Sequence, residues 1–241
     1  MRTAPPRRWR TTSSTWHALG NTYVVAEPEQ PLDATAASEL AQGADGVLEV
    51  LGRSTTSVAI AIWNPDGSTA ELSGNGTRIA AAWLAAQTGA SEVTVEVAGR
   101  IVHTRLREGG DIEQALGDVV VGPAETIDGI TFVPVSVGNP HAVVIGDPAR
   151  IGEVGPFLET HERFPGRTNV QVARIDGPGE VTARVWERGV GETLSSGTSA
   201  VAVAAATHAE GDVTVHFPGG DLRVRLDHGR ATLFGRAERI A

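Results

Sequence analysis

The sequence predicts an α/β protein of two pseudo-symmetric lobes, each a mixed β-sheet curled around a central buried helix. Three observations carry this. Gly76 to Gln87 and Ser199 to Ala209 are rich in alanine and apolar on nearly every side, as helices enclosed by their own lobes are. Each follows a serine and a glycine turn, in Leu72-Ser73-Gly74-Asn75-Gly76-Thr77 and Leu194-Ser195-Ser196-Gly197-Thr198-Ser199. Strand-like runs flank both in the same order, and registering the halves on Ser73 and Ser196 gives an internal repeat at an offset of 123 residues.

Taken in order, the elements begin near Thr15, because clustered arginines with Pro5 and Pro6 mark residues 1–14 as a disordered tail. Apolar, β-branched runs place strands at Tyr23 to Ala26, Val47 to Leu51 and Val58 to Trp63, with Asn64-Pro65-Asp66-Gly67 as a turn after the last. The first helix stops at Gly89. Val93 to Val97 and Ile101 to Leu106 then alternate as a hairpin around Gly99-Arg100. In the second half, strands are expected at Thr131 to Val137, His141 to Ile145, Val170 to Ile175 and Val181 to Trp186. The second helix comes next, then Val213 to Phe217 and Leu222 to Leu226. The same offset sets Asn64 opposite Glu187 and Gly67 opposite Val190, so the repeat is one of plan more than identity. The expected division is a first lobe of residues 15–124 rejoined by 235–241, and a second lobe of 125–234.

Composition removes several function classes. The chain has 241 residues, 41% of them apolar, and a net charge of −9, which argues against a nucleic-acid or membrane-surface footprint. No apolar run reaches spanning length, and no apolar h-region follows the early arginines, so a cytoplasmic protein is expected. All 20 basic residues are arginine; without lysine, pyridoxal phosphate has no residue for its Schiff base. There is no cysteine, hence no disulfide and no thiolate metal site. His161-Glu162 lacks the second histidine of a zinc helix and the other histidines are scattered, so no metal is predicted.

Asparagine is confined to Asn21, Asn64, Asn75, Asn139 and Asn169, each in a turn-like segment. Turns favour asparagine, yet five of five in such settings points to use in a site. A glycine-rich helix start aims unpaired N–H groups and a positive dipole end at its surroundings, so two of them can hold a carboxylate from two sides.

Eight segments in order resemble the diaminopimelate epimerase family of cofactor-independent amino-acid epimerases. They are His17-Ala18-Leu19-Gly20-Asn21, Gly43-Ala44-Asp45-Gly46-Val47, Asn64-Pro65-Asp66-Gly67-Ser68, Ser73-Gly74-Asn75-Gly76-Thr77-Arg78, Gly138-Asn139-Pro140-His141, Thr168-Asn169-Val170, the run from Glu187 to Thr193, and Ser196-Gly197-Thr198. The resemblance implies the family fold, with the ligand between the lobes, no cofactor, a small amino-acid substrate and a homodimer. The family interconverts LL- and meso-diaminopimelate, on the way to lysine and cell-wall precursors, with one base on each face of the α-carbon. It implies that Ser73 and Ser196 stand where the family has its two catalytic cysteines. Amides near Gly74, Asn75, Gly197 and Thr198 would hold the α-carboxylate. Asn64, Asn169 and Arg188 would bind the distal carboxylate, with Glu187 near the distal amine or the acid–base pair. Asn21 and Asn139 would order the site, and His141 would relay or orient protons.

The chain departs from the pattern at the bases themselves. A serine hydroxyl is far less acidic than a thiol, so proton abstraction by Ser73 or Ser196 is expected to be very slow. Ser73 also suits a plain N-cap. Thr22 and Tyr23 stand where the family usually has an acid and a phenylalanine. The alternatives are a racemase of another amino acid in the same superfamily and a non-catalytic amino-acid-binding protein.

Overall fold

The computed structural model describes residues 10–240, and the expected tail at residues 1–9 lies outside them. In the first half the order is β1 (Thr11–Ala18), β2 (Asn21–Pro28), α1 (Ala34–Leu40), β3 (Gly46–Arg53), β4 (Ser57–Trp63), β5 (Thr69–Ala70), α2 (Gly74–Thr88), β6 (Glu92–Val97), β7 (Arg100–Leu106) and β8 (Asp111–Asp118). In the second it is β9 (Val120–Val121), β10 (Glu125–Ile127), β11 (Ile130–Ser136), β12 (Pro140–Ile145), α3 (Ile151–Glu159), β13 (Asn169–Gly177), β14 (Glu180–Glu187), β15 (Gly191–Thr193), α4 (Gly197–Thr207), β16 (Gly211–Phe217), β17 (Gly220–Asp227), β18 (Arg230–Arg236) and β19 (Glu238–Arg239).

The halves repeat each other pairing by pairing. β1 is antiparallel to β2, β2 parallel to β3, β3 antiparallel to β4, β4 parallel to β6, and β6, β7 and β8 follow antiparallel. From β11 to β18 the same sequence of directions recurs. The register keeps the 123-residue offset on the inner strands, where Val47 faces Trp63 and Val170 faces Trp186. A mixed sheet results in each lobe because the crossovers carry helices: α1 and α3 in one, α2 and α4 in the other.

Both alanine-rich helices are buried in the cores of their own lobes. Ile79 to Ala85 of α2 lie among Val25, Leu48, Ile60, Val95 and Ile112. Ala200 to Ala204 of α4 lie among Val143, Val185, Val215, Val224 and Leu233. Small side chains let strands close around a helix on all sides, which is why alanine and valine dominate here. Gly89 ends α2 in the left-handed region at φ 75°, donating its N–H to the Ala85 carbonyl.

Several expectations need correcting. Residues 11–14 are strand: β1 starts at Thr11, because its β-branched threonines pair antiparallel along the whole of β2. The β6–β7 turn is Ala98-Gly99, both with positive φ (47° and 76°), and Arg100 already belongs to β7. α1, α3, β8 and β18 were not anticipated. β8 and β18 matter most, since they pair antiparallel and join the two sheets into one. Beyond them the chain changes lobe, β9 pairing with β11 and β19 with β1.

Candidate active site

The two leading serines are the N-caps of the two buried helices. Ser73 is extended (φ −134°, ψ 119°) and its Oγ accepts the Gly76 N–H at 3.0 Å; Ser196 is extended too (φ −149°, ψ 130°), but its hydroxyl caps nothing. The helix starts abut. A Cβ on Gly74 would lie 3.0 Å from the Gly197 Cα, and one on Gly197 would lie 3.1 Å from the Gly74 Cα, so glycine is required on both sides. The first amides with main-chain acceptors are Thr77 to Ser73 and Ala200 to Ser196. The amides of Gly74 and Asn75, and of Gly197, Thr198 and Ser199, therefore precede the helical ladder, and two positive dipole ends converge where an anion between them is stabilising.

Each serine touches one titratable side chain. The Tyr23 hydroxyl lies 3.3 Å from Ser73 Oγ; the Glu187 carboxylate accepts from Thr193 Oγ1 at 2.6 Å and neighbours the Ser196 side chain. Burial raises the Glu187 carboxyl above its usual range against the opposing Thr193 and Ser196 hydroxyls. Burial pushes the Tyr23 phenol up to about 12; the charges of Glu187 and Asp45 add to it, and the Ser73 bond opposes it. Tyr23 from the first lobe thus lies within electrostatic reach of Glu187 from the second.

The other expected residues divide by what they hold. Asn75 turns inward: its amide donates to Asn21 Oδ1 at 2.5 Å and to Ser195 Oγ at 3.3 Å, and its carbonyl accepts from Arg78. Its side chain orders Asn21, and only its backbone faces the helix start. His141 is buried, its Nε2 bonding Asn139 Oδ1 at 3.0 Å and its Nδ1 accepting from Gln171 at 3.0 Å. Desolvation first, then the Arg188 charge, drives its pKa down to about 3. This is a neutral imidazole fixed in one tautomer, and its hydrogen bonds go to Asn139 and Gln171, not to either serine.

Asn169 ties the site together, donating to the Pro140 carbonyl at 2.9 Å and accepting the Arg188 N–H at 3.0 Å. That leaves the exposed Arg188 guanidinium with a 3.4 Å contact to the Gly166 carbonyl and no ion pair among the described residues. Asn64 sits just past Trp63 as Glu187 sits past Trp186, and it donates to Ser68 Oγ at 2.9 Å. Thr198 is buried at the start of α4.

Sequence reasoning missed four residues that shape this region. Tyr23 and Arg78 lay in plain view, one as the chain's single tyrosine and one inside a quoted motif. Arg78 is fully buried with no carboxylate partner among the described residues, donating to Asn75 and to Gln114 Oε1 at 3.0 Å, and desolvation lowers it to about 9. It stays charged at neutral pH and adds to the positive field beneath the helix starts. Thr193 also stood inside a quoted motif, while Gln171 carried no signal, because only the strand register brings it beside His141.

A family model described as diaminopimelate epimerase matches residues 15–124 and 133–239. The diaminopimelate epimerase of Desulforudis audaxviator is 34% identical over an alignment covering 93% of this chain and 95% of that protein. That of Xanthomonas oryzae pv. oryzae is 37% identical, covering 92% and 91%. Among solved structures, a predicted epimerase from Pseudomonas aeruginosa superposes with a TM-score of 0.76 at 19% identity, covering 95% of this chain and 96% of that one. A hydroxyproline epimerase from Agrobacterium vitis superposes at 0.67 and 18%, covering 97% and 91%. The last two likenesses concern the fold alone. The converging serine-capped helices, the asparagine framework around them and the matched sequence agree, and this chain belongs to the diaminopimelate epimerase family of isomerases.

Proposed function

We propose that the chain binds 2,6-diaminopimelate between its lobes and that serine at both base positions leaves LL–meso interconversion severely impaired. The abutting helix starts at Gly74 and Gly197 carry this reading, since they supply unpaired amides and two positive dipole ends for the α-carboxylate. Arg188, its backbone N–H held by Asn169 and its guanidinium without an ion pair among the described residues, supports a distal carboxylate clamp with Asn64. The reaction in this reading is proton transfer on both faces of the α-carbon without a cofactor. By family resemblance we read the working form as a cytoplasmic homodimer. No described helix is long and apolar enough to cross a membrane.

Calorimetric titration with diaminopimelate tests the reading. Binding is expected, with Arg188→Ala weakening it at least tenfold, as loss of a charge-assisted bond worth about 1.5–3 kcal/mol requires. Ser73→Cys with Ser196→Cys is expected to raise α-proton exchange, followed by NMR in deuterated water. Absence of binding would point to another amino acid, and a double variant that binds but never exchanges would sink the epimerase reading. The absence of any thiol favours one second reading, a binding protein without turnover, for which the parent chain binds and exchanges nothing.

A further inference from the structure

Tyr23 is placed with more care than a core aromatic needs. Its ring lies on β2, over Gly46, where a Cβ would come within 2.8 Å of the Tyr23 Cε1; glycine there makes room for the ring. The hydroxyl ends 3.3 Å from Ser73 Oγ, which also accepts the Gly76 N–H at 3.0 Å. With Tyr23 as donor, Ser73 Oγ receives two hydrogen bonds, and its own proton is left to point away from both. The equivalent strand position in the second lobe, opposite β13 as Tyr23 is opposite β3, is His141, whose two nitrogens are taken by Asn139 and Gln171. The two sides therefore differ: Ser73 has a phenol within hydrogen-bond distance, and Ser196 neighbours Glu187, whose carboxylate is held by Thr193 Oγ1 at 2.6 Å.

We propose that Tyr23 is a proton-supplying residue that acts through Ser73, opposite Glu187 acting through Ser196, so that the site is an asymmetric acid–base pair. The proposal rests on the diaminopimelate reading above. On one face the α C–H bond breaks, its proton passes to Ser196 Oγ, and the Ser196 proton passes to the Glu187 carboxylate. On the other face the Ser73 proton forms the new C–H bond, and the Tyr23 proton restores the Ser73 hydroxyl. One proton leaves and one arrives. The negative charge of Glu187 ends on the Tyr23 phenolate, and exchange with solvent resets both groups.

The test uses the full chain in deuterated water with LL- and meso-diaminopimelate in separate reactions, reading α-deuterium by NMR, the epimer by chiral chromatography, and binding by calorimetry. The parent is expected to bind and to invert slowly with deuterium incorporation. Tyr23→Phe is expected to lose inversion at least tenfold while one epimer still exchanges its α-proton with retention, because that exchange needs only the Glu187–Ser196 face. Glu187→Gln is expected to lose both. A merely structural role for Tyr23 would lower exchange and inversion together, and that result overturns the proposal. So does inversion by Tyr23→Phe at the parental rate, or a parent that binds without any exchange. If the parent does not bind diaminopimelate, the substrate reading falls and the proposal with it.

Discussion

His141 shows how burial decides what a side chain in a recognised motif does. It lies beneath the Asn139 turn with both nitrogens bonded, in a setting where the charged form is penalised first by desolvation and then by Arg188. Its folded pKa of about 3 lies below the roughly 6.5 of an unfolded chain. Between those values the unfolded state binds the extra proton, so stability is full above about pH 6.5 and falls as pH drops toward 3, by up to about 1.4 kcal/mol per unit. Urea unfolding across this window is expected to show that slope, and His141→Gln to remove its share. NMR of the His141 ring should show no titration between pH 5 and 8. Tyr23 makes the converse point: in sequence it reads as one more aromatic of a strand, and the fold delivers its hydroxyl to Ser73.

At the scale of elements, α2 and α4 are equivalent in place but not in capping. Ser73 closes its helix through the Gly76 amide, whereas the Ser196 hydroxyl makes no cap bond and leaves the first turn of α4 uncapped. Ser73→Ala is expected to cost about 1 kcal/mol of stability as a lost N-cap. Ser196→Ala should cost clearly less, and an equal loss in urea midpoints would contradict the asymmetry. The lobes also clasp each other at hairpin tips. Arg100 of the β6–β7 hairpin donates to the Gly138 carbonyl at 2.7 Å, while Gly219 of the β16–β17 turn packs so closely on Leu19 and Gly20 that a Cβ there would lie 2.7 Å from the Leu19 carbonyl oxygen. Each lobe thereby supports the turn that presents the other lobe's asparagine, Asn139 or Asn21.

At the scale of the molecule, the β8–β18 ladder and the exchange of β9 and β19 between lobes make one sheet system of two cores. Neither lobe can unfold without exposing a strand edge of the other, so urea unfolding followed by tryptophan fluorescence and by circular dichroism is expected to coincide in one transition. Two separated transitions would mean that the lobes are independent. Much of this was legible in the chain. The buried helices followed from runs such as Ala200 to Ala206, the inner strands from β-branched runs, and the asparagine positions from their turns. β8 and β18 were not legible, because Asp111–Asp118 and Arg230–Arg236 mix charge and glycine and become strands by pairing with β7 and β17 and with each other. By itself the sequence determined the duplicated α/β plan, the two serine-led helix starts and the lack of any thiol or lysine, since periodicity and composition are local properties. Only the tertiary structure decided that the helix starts meet at Gly74 and Gly197, that His141 is shut away neutral, and that Ser73 answers to Tyr23 and Ser196 to Glu187. Those outcomes depend on strand register and burial, which bring together residues as distant in the chain as Gly74 and Gly197 and set the local dielectric that fixes the charge of the buried groups.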